Sequence, residues 1–154
     1  MSYLIIRKSS PIETNMLLEM TLNVMSESSM GFVKNNPQLG LNVFVPYLNN
    51  GAYYLVAIDK TMIVGWVLIG PDFNPLNTQN TGSILSLYVF PLYRKKGVGK
   101  QLMIRAFDEF KKQGFQKIQL NVYADNPAKQ LYKRLGFSDV SSVMEIELNE
   151  GTGN

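Results

Sequence analysis

The sequence predicts an α/β fold in which a mixed β-sheet carries helices on its faces. Two kinds of segment follow one another along the chain. Some are apolar runs with the alternating pattern of strands, and in the others the apolar residues recur every three or four positions, as on one face of a helix. The elements follow in the order β-α-(α)-β-β-β-α-β-α-β, which combines a hairpin with strand–helix–strand units. No internal repeat and no linker divides the 154 residues, so we expect one domain.

The first half of the chain supplies three strands and a helix. Residues 3–8 read as a strand that a Ser-Ser-Pro sequence ends. A helix is expected over residues 12–26, where four apolar residues repeat at helical spacing. Residues 28–41 are rich in Asn and Gly and are expected to be loose, with room for a short helix. Residues 53–58 and 62–69 are strand-like runs on either side of a short polar turn, which predicts a hairpin.

The second half continues with strands and helices in alternation. In chain order we expect a polar loop over residues 70–82, a strand over 84–90 and a helix over 98–112. A strand over 117–123, a helix over 128–135 and a last strand over 143–148 follow. The loop has thirteen residues, which is long enough to suggest a functional role. Gly114 and Gly136 follow the two helices, at the position where glycine commonly ends a helix. Residues 149–154 are expected to form a tail.

Composition excludes several classes of protein. The net charge is only +3, and four cations lie in one seven-residue loop, so a nucleic-acid-binding surface is not expected. No apolar run approaches the ~20 residues of a membrane span and no signal sequence is evident, so a soluble cytoplasmic protein is expected. The chain contains neither Cys nor His, which removes thiol nucleophiles, the commonest general base and the usual zinc ligands. We expect no metal site.

The most informative segment lies between the strand 84–90 and the helix that follows it, and it reads Arg94-Lys95-Lys96-Gly97-Val98-Gly99-Lys100. Glycines at the start of a helix let an anion approach the unpaired backbone N–H groups of the first turn, where the helix dipole is positive. The flanking cations add positive charge. This pattern predicts a phosphate-binding loop.

Two better-known phosphate loops do not fit the spacing. A P-loop requires a glycine where Arg94 stands and a hydroxyl residue where Gln101 stands. A dinucleotide-binding fingerprint requires a third glycine at the position of Leu102. The remaining pattern is Arg-x-x-Gly-x-Gly with additional lysines.

With this pattern the chain resembles the GNAT superfamily of acetyl-CoA-dependent N-acetyltransferases. Arg94, Gly97 and Gly99 match the family's Gln/Arg-x-x-Gly-x-Gly/Ala pyrophosphate loop. Residues 125–137, DNPAKQLYKRLGF, are similar to the family's second block, Asn-x-x-Ala-x-x-Leu-Tyr-x-x-x-Gly-Phe. The resemblance covers the C-terminal half by motif and the whole chain by element order. It implies one GNAT-like domain over residues 1–148, with a central, mostly antiparallel sheet and helices on both faces.

The resemblance also implies how acetyl-CoA, the co-substrate, is bound. Backbone N–H groups of the loop hold the pyrophosphate and its cationic side chains help, while main-chain groups of the preceding strand pair with the pantetheine arm. The implied cofactor-binding residues are Leu87, Tyr88, Val89, Arg94, Lys95, Lys96, Gly97, Val98, Gly99, Lys100 and Asn126. Counting back from Tyr132 places Asp125 at the family's Asn position, so either Asp125 or its neighbour Asn126 makes that contact.

Tyr132 is the candidate catalytic residue. By helical spacing alone it is a core tyrosine, whereas the resemblance implies that it protonates the leaving CoA thiolate. Many relatives carry a Glu on the strand before the loop, but residues 83–88 contain no carboxylate, and no general base can be named. Ser86 or Tyr88 could instead order a water that relays the proton, and a strand N–H near Leu87 would hold the oxyanion.

The implied function is transfer of an acetyl group from acetyl-CoA to a primary amine of a small molecule or peptide by direct attack. The acceptor site is expected among the first helix region, residues 28–50 and the loop 70–82, which contain few acids, among them Glu19, Glu27 and Asp72. The absent strand carboxylate keeps a second hypothesis open, a catalytically silent acyl-CoA-binding domain on the same fold. The sequence leaves open whether the protein forms a homodimer.

Overall fold

The computed structural model describes residues 3–76 and 79–149, which form one five-stranded sheet in the order β1-β2-β3-β4-β5. The strands are β1 Leu4–Lys8, β2 Tyr53–Asp59, β3 Met62–Pro71, β4 Thr81–Val89 and β5 Lys117–Leu120. Neighbouring strands from β1 to β4 pair antiparallel, and β4 pairs parallel with β5. The predicted mixed, mostly antiparallel sheet is confirmed.

In the described part of the chain, five α-helices flank this sheet: α1 Pro11–Asn23, α2 Met25–Ser28, α3 Pro37–Asn49, α4 Val98–Lys112 and α5 Ala128–Arg134. Helix α1 begins with a capping box, because the Ser10 hydroxyl accepts the Glu13 N–H while the Glu13 carboxylate accepts the Ser10 N–H. Arg7 at the end of β1 pairs with the same carboxylate at 2.8 Å. These contacts fix the angle at which the chain leaves the sheet edge.

Each face of the sheet buries its own core, so the helices do lie on both faces. One core joins α4 and Tyr132 of α5 to alternate residues of β2 and β3, such as Leu55 and Val67. The other joins α1 and α3 to the intervening residues of the same strands, such as Tyr54 and Trp66. The stripe predicted for α4 is buried as expected, at Val98, Leu102, Met103, Ala106 and Phe110.

The segment before β2 differs from its prediction. The helix expected over residues 12–26 is interrupted at Val24, whose φ and ψ of −107° and 10° leave the helical range, and α2 follows as a single turn. The stretch expected to be loose leads into the thirteen-residue α3, which the Asn36 side chain caps and Pro37 begins. Gly40 and Pro46, two residues of low helix propensity, both lie inside α3.

β4 and β5 diverge, and this divergence shapes the site. Their pairing ends at Ile84 and Leu120, although β4 continues to Val89. Immediately after Ile84, Leu85 is an extra residue in the pairing with β3. A bulge of this kind bends the strand that carries it, so β4 turns away from β5 there. The strand predicted over residues 117–123 therefore stops at Leu120, because the residues beyond have no neighbouring strand to pair with.

The last strand predicted, over residues 143–148, is wrong. These residues have no regular secondary structure, and Val143, Met144, Ile146 and Leu148 are 72–99% exposed. Alternation supplies a face to bury, but a strand also needs hydrogen-bond partners, and no described strand pairs with this segment. β5 is the edge of the sheet on this side. Of the predicted tail, residues 150–154 lie outside the described residues.

Two further observations concern the described part of the chain. None of its helices is both long and apolar enough to cross a membrane. Within residues 3–76 and 79–149, no three acidic side chains come together in a way that could hold a metal ion.

Candidate functional site

The predicted phosphate-binding loop joins β4 to α4 as the sequence indicated. A 3-10 turn, Pro91–Tyr93, follows β4, and Gly97 is the N-cap of α4. Lys95 and Gly97 have positive φ angles of 60° and 83°. This left-handed backbone is strained for residues with a Cβ, which explains why a glycine stands at the N-cap.

The backbone of this loop presents unpaired donors. No N–H group from Lys95 through Lys100 donates a hydrogen bond to an acceptor among the described residues. No side chain caps the helix, and a Cβ built on Gly97 would have no atom within 4 Å. Six successive amides without a partner among the described residues, at the positive end of a fifteen-residue helix, are an arrangement that favours the binding of an anion. We call the backbone of residues 95–100 the amide nest.

The cationic side chains around the nest are exposed. Lys95, Lys96 and Lys100 all reach solvent, and the Lys96 Nζ lies 5.6 Å from the centre of the Tyr93 ring. Gly99 differs from Gly97 in its surroundings. A Cβ on Gly99 would meet a Leu131 carbon at 3.4 Å and a Val89 carbon at 3.8 Å, so that side of the helix faces the protein interior.

The open edge of β4 lies next to the amide nest. Phe90 N–H donates to the Val64 carbonyl at 3.0 Å, so the main-chain groups of Phe90 point toward β3. Main-chain direction alternates along a strand, and therefore the N–H and C=O groups of Leu87 and Val89 point away from β3, into the space between β4 and β5. Those of Tyr88 point toward β3. The structure thus brings the predicted Leu87 and Val89 contacts to the open edge.

Tyr132 of α5 lies in the core on the α4 face. Its side chain is 8% exposed, and burial raises the pKa of Tyr132 to about 12. Its ring packs edge-on against Phe137 at 5.9 Å, and its hydroxyl has no hydrogen-bond partner among the described residues. At neutral pH the phenol is protonated, so this group can donate a proton or a hydrogen bond.

A carboxylate that the sequence could not place comes to the end of β4. Glu27 of α2 accepts a hydrogen bond from the Tyr88 hydroxyl at 3.0 Å and pairs with the Arg94 Nη2 at 2.6 Å. Arg94 also donates from Nε to the Val89 carbonyl at 2.8 Å. The Arg94 hydrogen bond lowers the pKa of Glu27, while burial raises the pKa of Tyr88. No spacing signal could have found Glu27, since 61 residues separate it from Tyr88.

Stacking fixes the Tyr88 ring. Trp66 of β3 stacks on it at 4.9 Å with 27° between the ring planes, and Phe90 packs edge-on at 5.6 Å. The Trp66 indole N–H donates to the Ser86 hydroxyl at 3.0 Å. Both residues that the sequence suggested for ordering a water, Ser86 and Tyr88, therefore have protein partners.

The chain after α2 bridges the space between β4 and β5. Asn126 Nδ2 donates to the Ser28 carbonyl at 3.4 Å, and Phe32 stacks on Tyr123 at 5.0 Å. The other end of the Asn126 amide accepts the Ala128 N–H at 2.9 Å, at the start of α5. Asp125 is exposed. Helix α2 and residues 29–32 thus lie over the gap between the diverging strands.

Comparison with known proteins identifies a family of acetyltransferases. The sequence profile of the Acetyltransferase (GNAT) family matches residues 23–137. The mycothiol acetyltransferase of Renibacterium salmoninarum is 34% identical over 91 residues, or 58% of this chain and 27% of the relative. The uncharacterized N-acetyltransferase YycN of Bacillus subtilis is 32% identical over 92 residues, or 59% of this chain and 58% of the relative. The match thus spans less than two thirds of either relative.

The fold also matches solved structures. A Pyrococcus furiosus protein described as an acetyl transferase superposes with a TM-score of 0.79 at 21% identity, covering 95% of this chain and 100% of that one. At this identity the likeness concerns the fold alone.

Proposed function

The chain belongs to the Acetyltransferase (GNAT) family, and from that premise we propose that it transfers the acetyl group of acetyl-CoA to a primary amine by direct attack. One observation carries the proposal: an amide nest with six unpaired donors lies beside the open edge of β4. An anion and an extended amide-bearing chain can bind there side by side. CoA joins these two features in one molecule, as a pyrophosphate and a pantetheine arm.

The donor is bound mainly by backbone. The N–H groups of residues 96–100 receive the pyrophosphate oxygens at the positive end of α4, and the Lys95 and Lys100 side chains add charge. The main-chain groups of Leu87 and Val89 pair with the pantetheine amides, as a strand added to the edge of β4. Because β5 has diverged at this point, the arm has a place beside β4 that no strand of the described chain occupies.

The chemistry requires a nucleophile and an acid. The nitrogen lone pair of the acceptor attacks the thioester carbonyl, the new N–C bond forms and the C–S bond breaks. Tyr132 donates the proton that the departing thiolate takes up: the phenol is protonated at neutral pH, although burial, which raises its pKa to about 12, makes it a weaker acid than a free tyrosine. A strand N–H near Leu87 stabilises the oxyanion. The acceptor is an amine of a small molecule or of a peptide.

Two measurements test the proposal together. Calorimetry should detect CoA binding, and acetyl-CoA incubated with a panel of primary amines should release free thiol. Absence of CoA binding would contradict the proposal. Binding without thiol release for any amine would instead favour the catalytically silent acyl-CoA-binding domain.

A charge-matched pair of variants locates the binding site. Replacing Lys95 and Lys100 with Gln should weaken CoA binding by about tenfold, because both flank the amide nest. Replacing Lys111 and Lys112 with Gln removes the same charge from the opposite end of α4 and should change the affinity less than about twofold. Equal losses for both pairs would mean that the nest is not where the pyrophosphate binds.

A further inference from the structure

Arg94 bridges two groups across the open edge of β4. Its Nε donates to the Val89 carbonyl at 2.8 Å, and its Nη2 pairs with Glu27 at 2.6 Å. The proposed function gives two of these groups other partners. The Val89 main chain pairs with the pantetheine arm, and Arg94 belongs to the phosphate loop. Arg94 cannot bridge Glu27 to Val89 and serve the donor at the same time.

We propose that Arg94 exchanges Glu27 for the CoA pyrophosphate, and that the released Glu27 carboxylate then binds the ammonium group of the acceptor. This inference rests on the proposed function and deepens it. It makes the acceptor a positively charged primary amine and gives Glu27 a role in holding it. It also makes donor binding a condition for acceptor binding.

The bridge is suited to exchange. The Arg94 and Glu27 side chains are 42% and 50% exposed, and ion pairs this open to solvent contribute little to stability. A pyrophosphate offers a guanidinium more negative charge and a bidentate geometry. Arg94 lies only three positions before Gly97, the N-cap of the helix that carries the amide nest. We therefore expect that a change of the Arg94 side-chain rotamer brings the guanidinium to a pyrophosphate bound at the nest.

Glu27 is held in place independently of Arg94. The Tyr88 hydroxyl donates to its Oε2, and Tyr88 is itself fixed by stacking on Trp66. When Arg94 leaves, Oε1 loses its partner while Oε2 remains anchored, so one oxygen faces the approaching cation. The contact of Ser28 with Asn126 keeps α2 over the gap between β4 and β5, where the arm would end. A carboxylate there fits a single positive charge.

The protons of the reaction then balance. The acceptor enters as R–NH₃⁺ and leaves as an N-substituted acetamide with one N–H, so it loses two protons. Glu27 takes one and, because it is half exposed, passes it to solvent. The second proton also passes to solvent. Tyr132 gives one proton to the CoA thiolate and takes one back from solvent, so these two transfers cancel. The net products are the acetamide, CoA thiol and one released proton.

A double-mutant cycle measured by calorimetry with CoA tests the exchange. Glu27→Gln should tighten CoA binding about two- to fivefold, because Arg94 no longer has to leave a carboxylate. The same substitution in an Arg94→Gln background should have no effect, which distinguishes release of Arg94 from simple removal of a repelling charge. Asp108→Asn, at an exposed position of α4 remote from the amide nest, makes the same charge change and should leave the affinity unaltered. Equal tightening in both backgrounds, or none in either, would overturn the exchange.

Amine kinetics test the second half of the proposal, in which Glu27 binds the ammonium group of the acceptor. With a primary amine that the wild-type chain acetylates, Glu27→Gln should raise the amine KM at least tenfold, and Asp108→Asn should not. An unchanged amine KM would refute the ammonium role while leaving the proposed function intact. A wild-type chain that binds CoA but acetylates no amine of the panel would instead contradict the proposed function and the role of Glu27 together.

Discussion

The two glycines of the amide nest should respond in opposite directions to the same substitution. Gly97 has φ +83°, and an added Cβ would meet no atom within 4 Å. Gly97→Ala therefore costs only backbone strain and a poorer N-cap, which together amount to about 1–2 kcal/mol of the free energy of unfolding. Steric clash makes no contribution.

Gly99→Ala provides the contrast. Its φ lies outside the left-handed range, and its Cβ would sit 3.4 Å from Leu131 and 3.8 Å from Val89, which is ordinary contact. Alanine is the better helix former by about 0.5–1 kcal/mol, so this variant should be as stable as the wild type or slightly more stable. The two alanine variants should thus differ by about 2 kcal/mol in unfolding free energy.

Urea unfolding followed by circular dichroism measures these differences, and calorimetry on the folded variants gives the CoA affinity. The Cβ of Gly97→Ala projects into the open space of the nest and should weaken CoA binding by about tenfold. The Cβ of Gly99→Ala faces Leu131 and should change the affinity less than about threefold. If Gly97→Ala proves neutral in stability, the left-handed N-cap does not exist in solution, and the geometry of the nest is refuted.

Three other predictions concern the tyrosines and the C-terminal segment. Tyr132→Phe should lower kcat by at least about tenfold, whereas Tyr54→Phe, a control that is also buried but on the other face of the sheet, should lose stability without losing kcat. Equal kcat for both variants and the wild type would remove Tyr132 as the acid. Burial raises the pKa of both tyrosines from 10.0 to about 12. Below pH 10 the phenols are neutral in both the folded and the unfolded chain, so their full contribution to the free energy of unfolding is present. This contribution falls between pH 10 and 12, where the phenols of the unfolded chain ionise. Urea unfolding across that range should show a loss of about 2–3 kcal/mol for each tyrosine, and Tyr54→Phe should reduce the loss. Deleting residues 143–154 should change the free energy of unfolding by less than about 0.5 kcal/mol, because the apolar side chains at 143–148 are exposed; a larger loss in thermal unfolding would show that the segment packs in solution.

Elements whose cause is local were predictable from the sequence. The α4 stripe and the glycines that end α4 and α5 follow from helical periodicity and left-handed caps, and both glycines have positive φ in the structure. Residues 143–148 show the limit of such patterns, because strand formation depends on a neighbour that the segment itself does not encode. For helix α3 the sequence predicted only room for a short helix within residues 28–41, because the packing of Phe44, Tyr47 and Leu48 onto the sheet, which supports the longer helix, is not a local property.

The candidate site also combines a part that the sequence predicts with a part that it does not. The amide nest could be predicted because its spacing lies within seven residues. Glu27 could not, since it is 67 residues from Arg94 and comes beside it only through the packing of α1 and α2 against the sheet. Its hydrogen bond to Tyr88 depends equally on the direction of β4, which the bulge at Leu85 helps to set. Contacts that join distant segments are visible only once the topology is known.

The stack of Trp66 on Tyr88 gives the protein an optical probe at its own site. Trp66 is the single tryptophan of the chain and is fully buried, so selectively excited emission comes from one environment. Its ring lies 4.9 Å from the tyrosine whose hydroxyl holds Glu27. Departure of the Arg94 guanidinium, 5.2 Å from that tyrosine ring, changes the electric field at the indole. Stopped-flow fluorescence can therefore test the proposed exchange at the end of β4 in real time without any attached dye.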